Sequence, residues 1–272
     1  MKIAIIGAGW LGLPLAQTLM KSGHLVVATK RSAAEVNKLQ DMGVSAIQYE
    51  LGDNLDSPKL TPLFNAHTLI LNIPPGRKSP SLKKFGQEMR ALVSTAKHQG
   101  IQNVIFISTT AVYGNADGMI YEYTPVAPQT HSGVIHVEIE NAVRSMFQQH
   151  GCILRLAGLV SQHRHPARSL SGRKHIENGQ QRVNLVHRDD VIHAIEKIIN
   201  KNKFGQTYHL CSLEHPTRQQ YYVDAATALE VPPPEFVEDT SFPFGKCINS
   251  EFTLNTLELD LAYPSPYDML KG

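Results

Sequence analysis

Lys2-Ile3-Ala4-Ile5-Ile6-Gly7-Ala8-Gly9-Trp10-Leu11-Gly12 is the stretch that decides the fold of this 272-residue chain. Residues 2–6 form a short apolar run that ends at a glycine, which reads as a buried strand. Leu11, Leu15 and Leu19 then recur at helical spacing as far as Ser22, and Gly23 supplies a C-terminal cap. Pro14 falls in the first turn of that helix, where a missing N–H is tolerated. Between strand and helix stands a GxGxxG. Such a triplet alone arises by chance, but one that closes a predicted strand and opens a predicted helix marks a dinucleotide-binding turn. Gly7 permits the tight turn, Gly9 lets backbone approach a pyrophosphate, and Gly12 lets helix pack on strand. Trp10 and Leu11 complete the turn, and the helix N-terminus turns free N–H groups and a positive dipole end toward phosphate.

Outward from this unit the same alternation continues. Strands are predicted over 24–29, 46–49, 68–72, 104–108 and 152–157, and helices over 33–42, 81–98 and 132–150. Near-continuously apolar strands separated by helices indicate a parallel sheet covered on both faces, a doubly wound α/β Rossmann fold. Beyond Gly158 the regularity breaks. Residues 161–179 are polar and rich in histidine and arginine, 191–200 and 217–229 look helical, 207–210 looks like a strand, and 231–250 carries several prolines. The expected organisation is an NAD(P)-binding Rossmann domain over 1–158. Residues 159–272 then form mainly a small irregular substrate lobe, with some elements returning to the core.

Which dinucleotide binds is read at the end of the second strand. NAD binders place an acidic residue there for the ribose 2′-hydroxyl, whereas NADP binders place arginine near the 2′-phosphate. Here the stretch is Ala28-Thr29-Lys30-Arg31-Ser32, with no acidic residue before Glu35. Lys30, Arg31 and the Ser32 hydroxyl would meet a dianionic phosphate, so NADP is expected over NAD. The bland alternative is that Lys30 and Arg31 are ordinary solvated charges.

Composition excludes several classes. Hydrophobic residues make up 42% and charged residues 18% of the chain, a globular balance with ample material for a core. No apolar run approaches the ~20 residues of a membrane helix, and no signal-peptide pattern is present, so a cytoplasmic protein without membrane contact is expected. Net charge is +2 without a basic stripe, and nothing points to nucleic acid. Cys152, Cys211 and Cys247 are widely spaced, which argues against a disulfide framework or cysteine zinc site. His163, His165 and His187 with Asp189 or Asp190 lack metal-ligand spacing, and no metal is expected. Arg164, Arg168, Arg173 and Lys174 concentrate positive charge in the second half. They either meet a phosphorylated or nucleotide-linked substrate or belong to a solvated surface.

Ile107-Ser108-Thr109-Thr110-Ala111-Val112-Tyr113-Gly114 resembles the "SSxxVYG" strand end of extended short-chain dehydrogenases/reductases, the NAD(P)-dependent epimerases and dehydratases. Gly52-Asp53 resembles their "GD" contact near the adenine, and Pro125-Val126-Ala127-Pro128-Gln129 their approach to the active-site helix. Arg155-Leu156-Ala157-Gly158 and Val183-Asn184-Leu185-Val186-His187-Arg188-Asp189-Asp190 resemble two later blocks, the second usually "NxxHVDD". The likeness runs along nearly the whole chain and is nearest to an atypical subgroup that keeps GxGxxG. It implies cofactor contacts at Asp53 and Ser108 and leaves a homodimer open. Asn72-Ile73-Pro74-Pro75-Gly76 replaces the family's usual "AA"-type turn, and Ile73 and Pro74 are expected to pack near the cofactor.

The family's chemistry rests on a Tyr-x-x-x-Lys, with an upstream Ser/Thr bonded to the substrate oxygen. Thr109 fits that upstream position. The tyrosine position, however, falls on Ser132 and the lysine position on His136, with Glu140 where the family often has a glutamate. A serine hydroxyl titrates far above tyrosine and cannot serve unaided as the same relay. His136 can donate to the ribose or act as the base, since histidine titrates near neutrality; alternatively, Ser132 and His136 line a vestigial pocket. Tyr121, Tyr123 and His131 are candidate stand-ins for the lost tyrosine. The one YxxxK, Tyr267 to Lys271, lies far from the fifth strand and is at the level of chance. The "GxYGPGR" loop is also altered: Leu159-Val160-Ser161-Gln162-His163-Arg164 has lost both loop glycines.

Two functions follow. The first is an NADP-dependent epimerase, dehydratase or reductase acting on a hydroxyl or carbonyl carbon of a small molecule, a nucleotide sugar among them, through Thr109, Ser132 and His136. The second is a catalytically degenerate sensor that reports NADP(H) occupancy to a protein partner. A polar pocket at the reactive end favours the first, and an apolar or collapsed one the second.

Overall fold

The computed structural model describes residues 1–75, 82–161, 164–238 and 244–270. Gly76, Ser81, Gln162, His163 and Lys271 lie outside the described residues. The first half alternates strictly: β1 (Lys2–Ile6), α1 (Gly12–Lys21), β2 (Leu25–Lys30), α2 (Ala33–Asp41), β3 (Ser45–Gln48), α3 (Thr61–Phe64), β4 (Thr68–Leu71), α4 (Leu82–His98) and β5 (Asn103–Thr109). A three-residue strand, β6 (Gly118–Ile120), precedes α5 (His131–Phe147) and β7 (Gly151–Leu156). There follow β8 (Gly158–Val160), α6 (Ala167–Leu170), β9 (Leu185–His187), α7 (Arg188–Asn200), β10 (Thr207–Leu210), α8 (Arg218–Ala228), β11 (Lys246–Ile248) and α9 (Glu251–Leu257).

The central sheet has seven strands in the order β10-β7-β5-β4-β1-β2-β3, all paired in parallel. Strand order reverses between β1 and β4, and that reversal opens a crevice at the carboxyl ends of the strands. The two-residue period of β-structure feeds both faces. Ile3 and Ile5 join α1, α2 and α7 in one apolar cluster, whereas Ala4 and Ile6 join α4 and α5 in the other. A third, smaller cluster gathers Val160, Leu185, Tyr221 and Met269.

The predicted helix over 132–150 stops at Phe147, because Gln148 takes φ 48° and residues 148–150 tighten into a 3₁₀ turn. The helix expected from Val191 starts three residues earlier, at Arg188, where the His187 ring accepts the Asp189 N–H. The strand over 207–210 is the edge strand of the main sheet, with Thr207 opposite Ile153 and Leu210 opposite Leu156. Thus β10 belongs to the central sheet, and α7 packs in the same apolar cluster as α1. Asp190 is fully buried and accepts the backbone N–H groups of Ala262 and Tyr263, which fastens the C-terminal segment to α7. Two further small parallel pairs form, β8 with β9 and β11 with β6. Among the described residues, no helix is long and apolar enough to cross a membrane, and no group of three or more His, Cys, Asp or Glu side chains could hold a metal ion. All three cysteines are free, and Cys152 and Cys211 are buried.

Candidate functional site

A cleft of about 1520 Å³ opens at the strand carboxyl ends. Its floor is the glycine turn. The Gly7 N–H donates to the Thr29 hydroxyl at 3.0 Å, and the Asn72 side-chain amide donates to the Gly7 carbonyl at 3.0 Å. The turn is therefore pinned to the ends of both β2 and β4. Gly7 has φ +102°, and a Cβ there would lie 2.4 Å from the Asn72 carbonyl oxygen; one on Gly12 would lie 2.2 Å from the Gly7 oxygen. Around Gly9 a Cβ meets no described residue within 4 Å. The protein leaves that side of the turn open, as a backbone cradle for a diphosphate requires. Gly7, Gly9, Trp10 and Leu11 line the cleft, whereas Gly12 serves the helix–strand contact beneath it.

At one end, Thr29, Lys30, Arg31 and Glu35 line the cleft. Lys30 pairs with Glu35 at 3.2 Å. The Ser32 hydroxyl donates to the same carboxylate and caps α2 by accepting the Glu35 N–H. Hydrogen bonds from Lys30 and Ser32 hold the Glu35 carboxyl below its usual range. Ser32 itself lies off the cleft, occupied as a cap. The Arg31 guanidinium has no hydrogen-bond or ion-pair partner among the described residues, and its carbonyl accepts from Gln48.

Beyond β3 the lining passes through Tyr49, Glu50, Leu51 and Glu88. Asp53 is not part of it. Its carboxylate accepts the Glu50 N–H at 3.1 Å and pairs with Lys59 at 3.2 Å, which holds its pKa down. The Glu88 carboxylate reaches from α4 over Gly52, where a Cβ would come within 2.5 Å of it. Tyr49 carries the one buried side-chain N or O atom without a partner among the described residues, and burial beside Asp53 and Glu88 raises its pKa. Ile73 and Pro74 line the cleft opposite.

The other end gathers Ser108, Thr109, Ser132 and His136, with Ile107, Leu156 and Leu159 closing the apolar side. Thr109 accepts the Ala111 N–H at 3.1 Å, so one lone pair is used while its proton stays available. His136 lies on α5 one turn after Ser132 and stacks on Phe106 with ring centroids 5.8 Å apart. Its Nδ1 meets the Ser132 carbonyl oxygen at 2.8 Å. A carbonyl only accepts, so Nδ1 carries the proton and Nε2 of the neutral ring is left with its lone pair. Burial lowers the His136 pKa, against opposing contributions from the Ser132 carbonyl and Glu140. Burial therefore favours the neutral ring.

Behind this end lies a buried ionic cluster. Glu140 is fully buried and is bonded by Ser108 at 2.7 Å, by Arg155 through two nitrogens and by Arg144 at 3.0 Å. The Ser108 proton points inward to Glu140, which leaves its lone pairs free on the cleft side. Tyr113 is buried too, and its hydroxyl is held between Arg155 and His209. Tyr121, Tyr123 and His131 are absent from the cleft lining; Tyr123 is 82% exposed and stacked on Tyr121. Tyr267 packs on Tyr221 in the small lobe. Tyr49 and Glu88 carry no functional signal in the sequence; Glu140 stands where the family often has a glutamate and Arg155 in a stretch that resembles a later block, but nothing in the sequence pairs them.

The sequence profile of the NAD dependent epimerase/dehydratase family matches residues 3–211. Protein YeeZ of Escherichia coli (strain K12) is 36% identical over 270 residues, covering 98% of each chain. Among solved structures, the UDP-glucuronic acid 4-epimerase from Bacillus cereus in complex with NAD aligns at TM-score 0.78 and 17% identity, over 100% of this chain and 97% of that one. The dTDP-glucose 4,6-dehydratase from Bacillus anthracis, in complex with NAD, gives TM-score 0.80 at 17% identity, over 100% and 94%. At such identities the two structures share the fold.

Proposed function

The chain belongs to the NAD dependent epimerase/dehydratase family, and from that premise we propose that it is a cytoplasmic NADP(H)-dependent oxidoreductase of small-molecule hydroxyl or carbonyl carbons. The substrate class closest to hand is a nucleotide sugar, the ligand of the structural neighbour MoeE5, which holds UDP-glucose and NAD. The residues fit a dinucleotide: the open side of Gly9 supplies the cradle, Trp10 and Leu11 its backbone, and Ile73, Pro74 and Ser108 its flanks. Arg31 and Lys30 would hold a 2′-phosphate.

A bound nicotinamide supplies hydride exchange with the reacting carbon. Hydride leaves a carbinol carbon only as its hydroxyl proton is taken up, so the protein must provide a base. His136 meets that need, with burial favouring a neutral ring and an Nε2 lone pair free of partners among the described residues. Thr109 donates its free proton to the substrate oxygen, and Ser132 offers a second hydroxyl beside it. The observation that carries the reading is this polar set at a cleft end otherwise lined by Ile107, Leu156 and Leu159; a degenerate sensor has no use for it. Glu35 favours a second reading, because a carboxylate on the cleft lining can accept from a 2′-hydroxyl and so favour NAD(H).

Calorimetric titration with NADPH, NADP⁺, NADH and NAD⁺ tests both readings. Binding of NADPH that Arg31→Ala weakens is the expected result. Binding of none of the four overturns the assignment, and stronger binding of NADH transfers it to the second reading.

A further inference from the structure

Two arginines that depart from the family pattern converge on one side chain. Arg164 lies in the loop that has lost its glycines, and Arg188 stands where the later block usually has valine. Both guanidinium groups lie over the Trp10 ring, at 4.6 Å and 6.0 Å from its centroid. Arg188 is partly neutralised by Asp189, to which its Nε donates at 3.2 Å. The side chain of Arg164 has no hydrogen-bond or ion-pair partner among the described residues; its backbone pairs with Ser161, and it lines the cleft together with Trp10. Two cations therefore meet one indole on the glycine turn, and of the two Arg188 has a carboxylate partner.

An indole face attracts a guanidinium and holds its plane without using any of its five N–H donors. Such a group loses little further freedom when an anion arrives, and its fork matches two oxygens at once. We propose that Arg164, held over Trp10, binds a diphosphate lying on the glycine turn and so ties the second lobe to the Rossmann core when nucleotide is present. The proposal rests on the nucleotide-binding reading above. The diphosphate is either the dinucleotide's own or that of a nucleotide-linked substrate.

Trp10 is the chain's single tryptophan, so its fluorescence reports the contact directly. Wild type, Arg164→Ala and Arg164→Lys are to be titrated with NADPH and NADH, and then with UDP at saturating NADPH, following heat and Trp10 emission. Loss of affinity for NADPH and NADH alike in Arg164→Ala, by about 10- to 100-fold, with partial rescue by lysine and a muted emission change, assigns the contact to the dinucleotide. The same loss confined to UDP assigns it to the substrate. Because the Arg164 side chain is exposed, thermal stability should stay unchanged. Unaltered affinity for all three ligands overturns the proposal, whereas wild-type protein that binds no dinucleotide overturns the reading beneath it.

Discussion

Arg155 and Glu140 meet as a two-pronged buried pair: Nε donates to Oε1 at 3.0 Å and Nη2 to Oε2 at 2.6 Å. The pair joins β7 to α5 directly behind the cleft end that holds Thr109, Ser132 and His136. Burial alone would raise the Glu140 carboxyl, but Arg155, with Ser108 and Arg144, outweighs it and holds the group below its usual range. Its stabilising effect is therefore complete above the unfolded carboxylate pKa and is lost as pH falls through the lower folded value. Glu140→Gln leaves Arg155 buried and uncompensated, and should lower unfolding free energy by about 3–5 kcal/mol in urea titrations. A change under about 1 kcal/mol would mean that the pair carries little of the fold.

Cofactor choice should turn on Arg31 and Glu35 in opposite directions. Arg31→Ala should weaken NADPH by about 10- to 100-fold while leaving NADH unchanged. Glu35→Gln releases Lys30 from its ion pair and should tighten NADPH by a few-fold. Calorimetry on the two variants reads both effects, and equal changes for NADPH and NADH would contradict the assignment of Arg31 to the 2′-phosphate.

If His136 is the base, His136→Gln should lower kcat by about 10²–10⁴-fold with NADPH affinity nearly intact. For the oxidation direction the wild-type rate should rise with pH and level off above a midpoint below that of an ordinary histidine, since burial lowers this pKa. Full turnover by the variant would return Ser132 and His136 to the status of a vestigial pocket.

The three glycines of the turn should separate binding from folding. Gly9→Val adds atoms where no described residue lies within 4 Å, so melting temperature should hold while dinucleotide binding disappears. Gly7→Ala and Gly12→Ala drive a Cβ into backbone oxygen at 2.4 Å and 2.2 Å and should lower the melting temperature itself. Scanning calorimetry with and without NADPH distinguishes the two outcomes.

Acid should loosen the small lobe through His165. Its Nδ1 accepts the Ala167 N–H, Nε2 bonds the Tyr221 hydroxyl at 2.8 Å, and burial lowers its pKa to about 4. The unfolded chain takes up this proton first, so stability is full above about pH 6.5 and falls toward pH 4, by at most roughly 3 kcal/mol from this group. His165→Gln should remove that part of the slope in unfolding titrations between pH 7 and 4; an unchanged slope would assign it to the other buried histidines.

Local signals made the Rossmann half legible. The β1–glycine–α1 unit is written in contiguous residues, and its strand, turn and helix are each set by their own neighbours. Residues 207–210 were equally legible as a strand, but their place beside β7 was not, because pairing with residues some fifty positions earlier leaves no local trace. The pairing of β6 with β11 is harder still, since three-residue strands joining Gly118 to Lys246 lack even a period to detect. At the cleft, motif spacing led to Thr109, Ser132 and His136, which share one end of it. It led also to Asp53, whose carboxylate the backbone of Glu50 and the Lys59 side chain have already claimed. Which of several nearby carboxylates faces a cavity is decided by packing of α4 against the loop after β3, and Glu88 is placed by that packing.

The edge position of β10 bears on how the chain is made. A ribosome releases the protein from its N-terminus, and β7 stays an uncovered hydrogen-bonding edge until residues 207–210 emerge and dock. The cluster that holds α1 likewise waits for α7. Throughout that interval the nascent polypeptide displays an apolar strand margin of the kind on which strangers pair. Nucleotide capture before synthesis reaches about residue 210 would have to occur on an incomplete sheet, so maturation of the binding cleft is a late event in the life of each molecule.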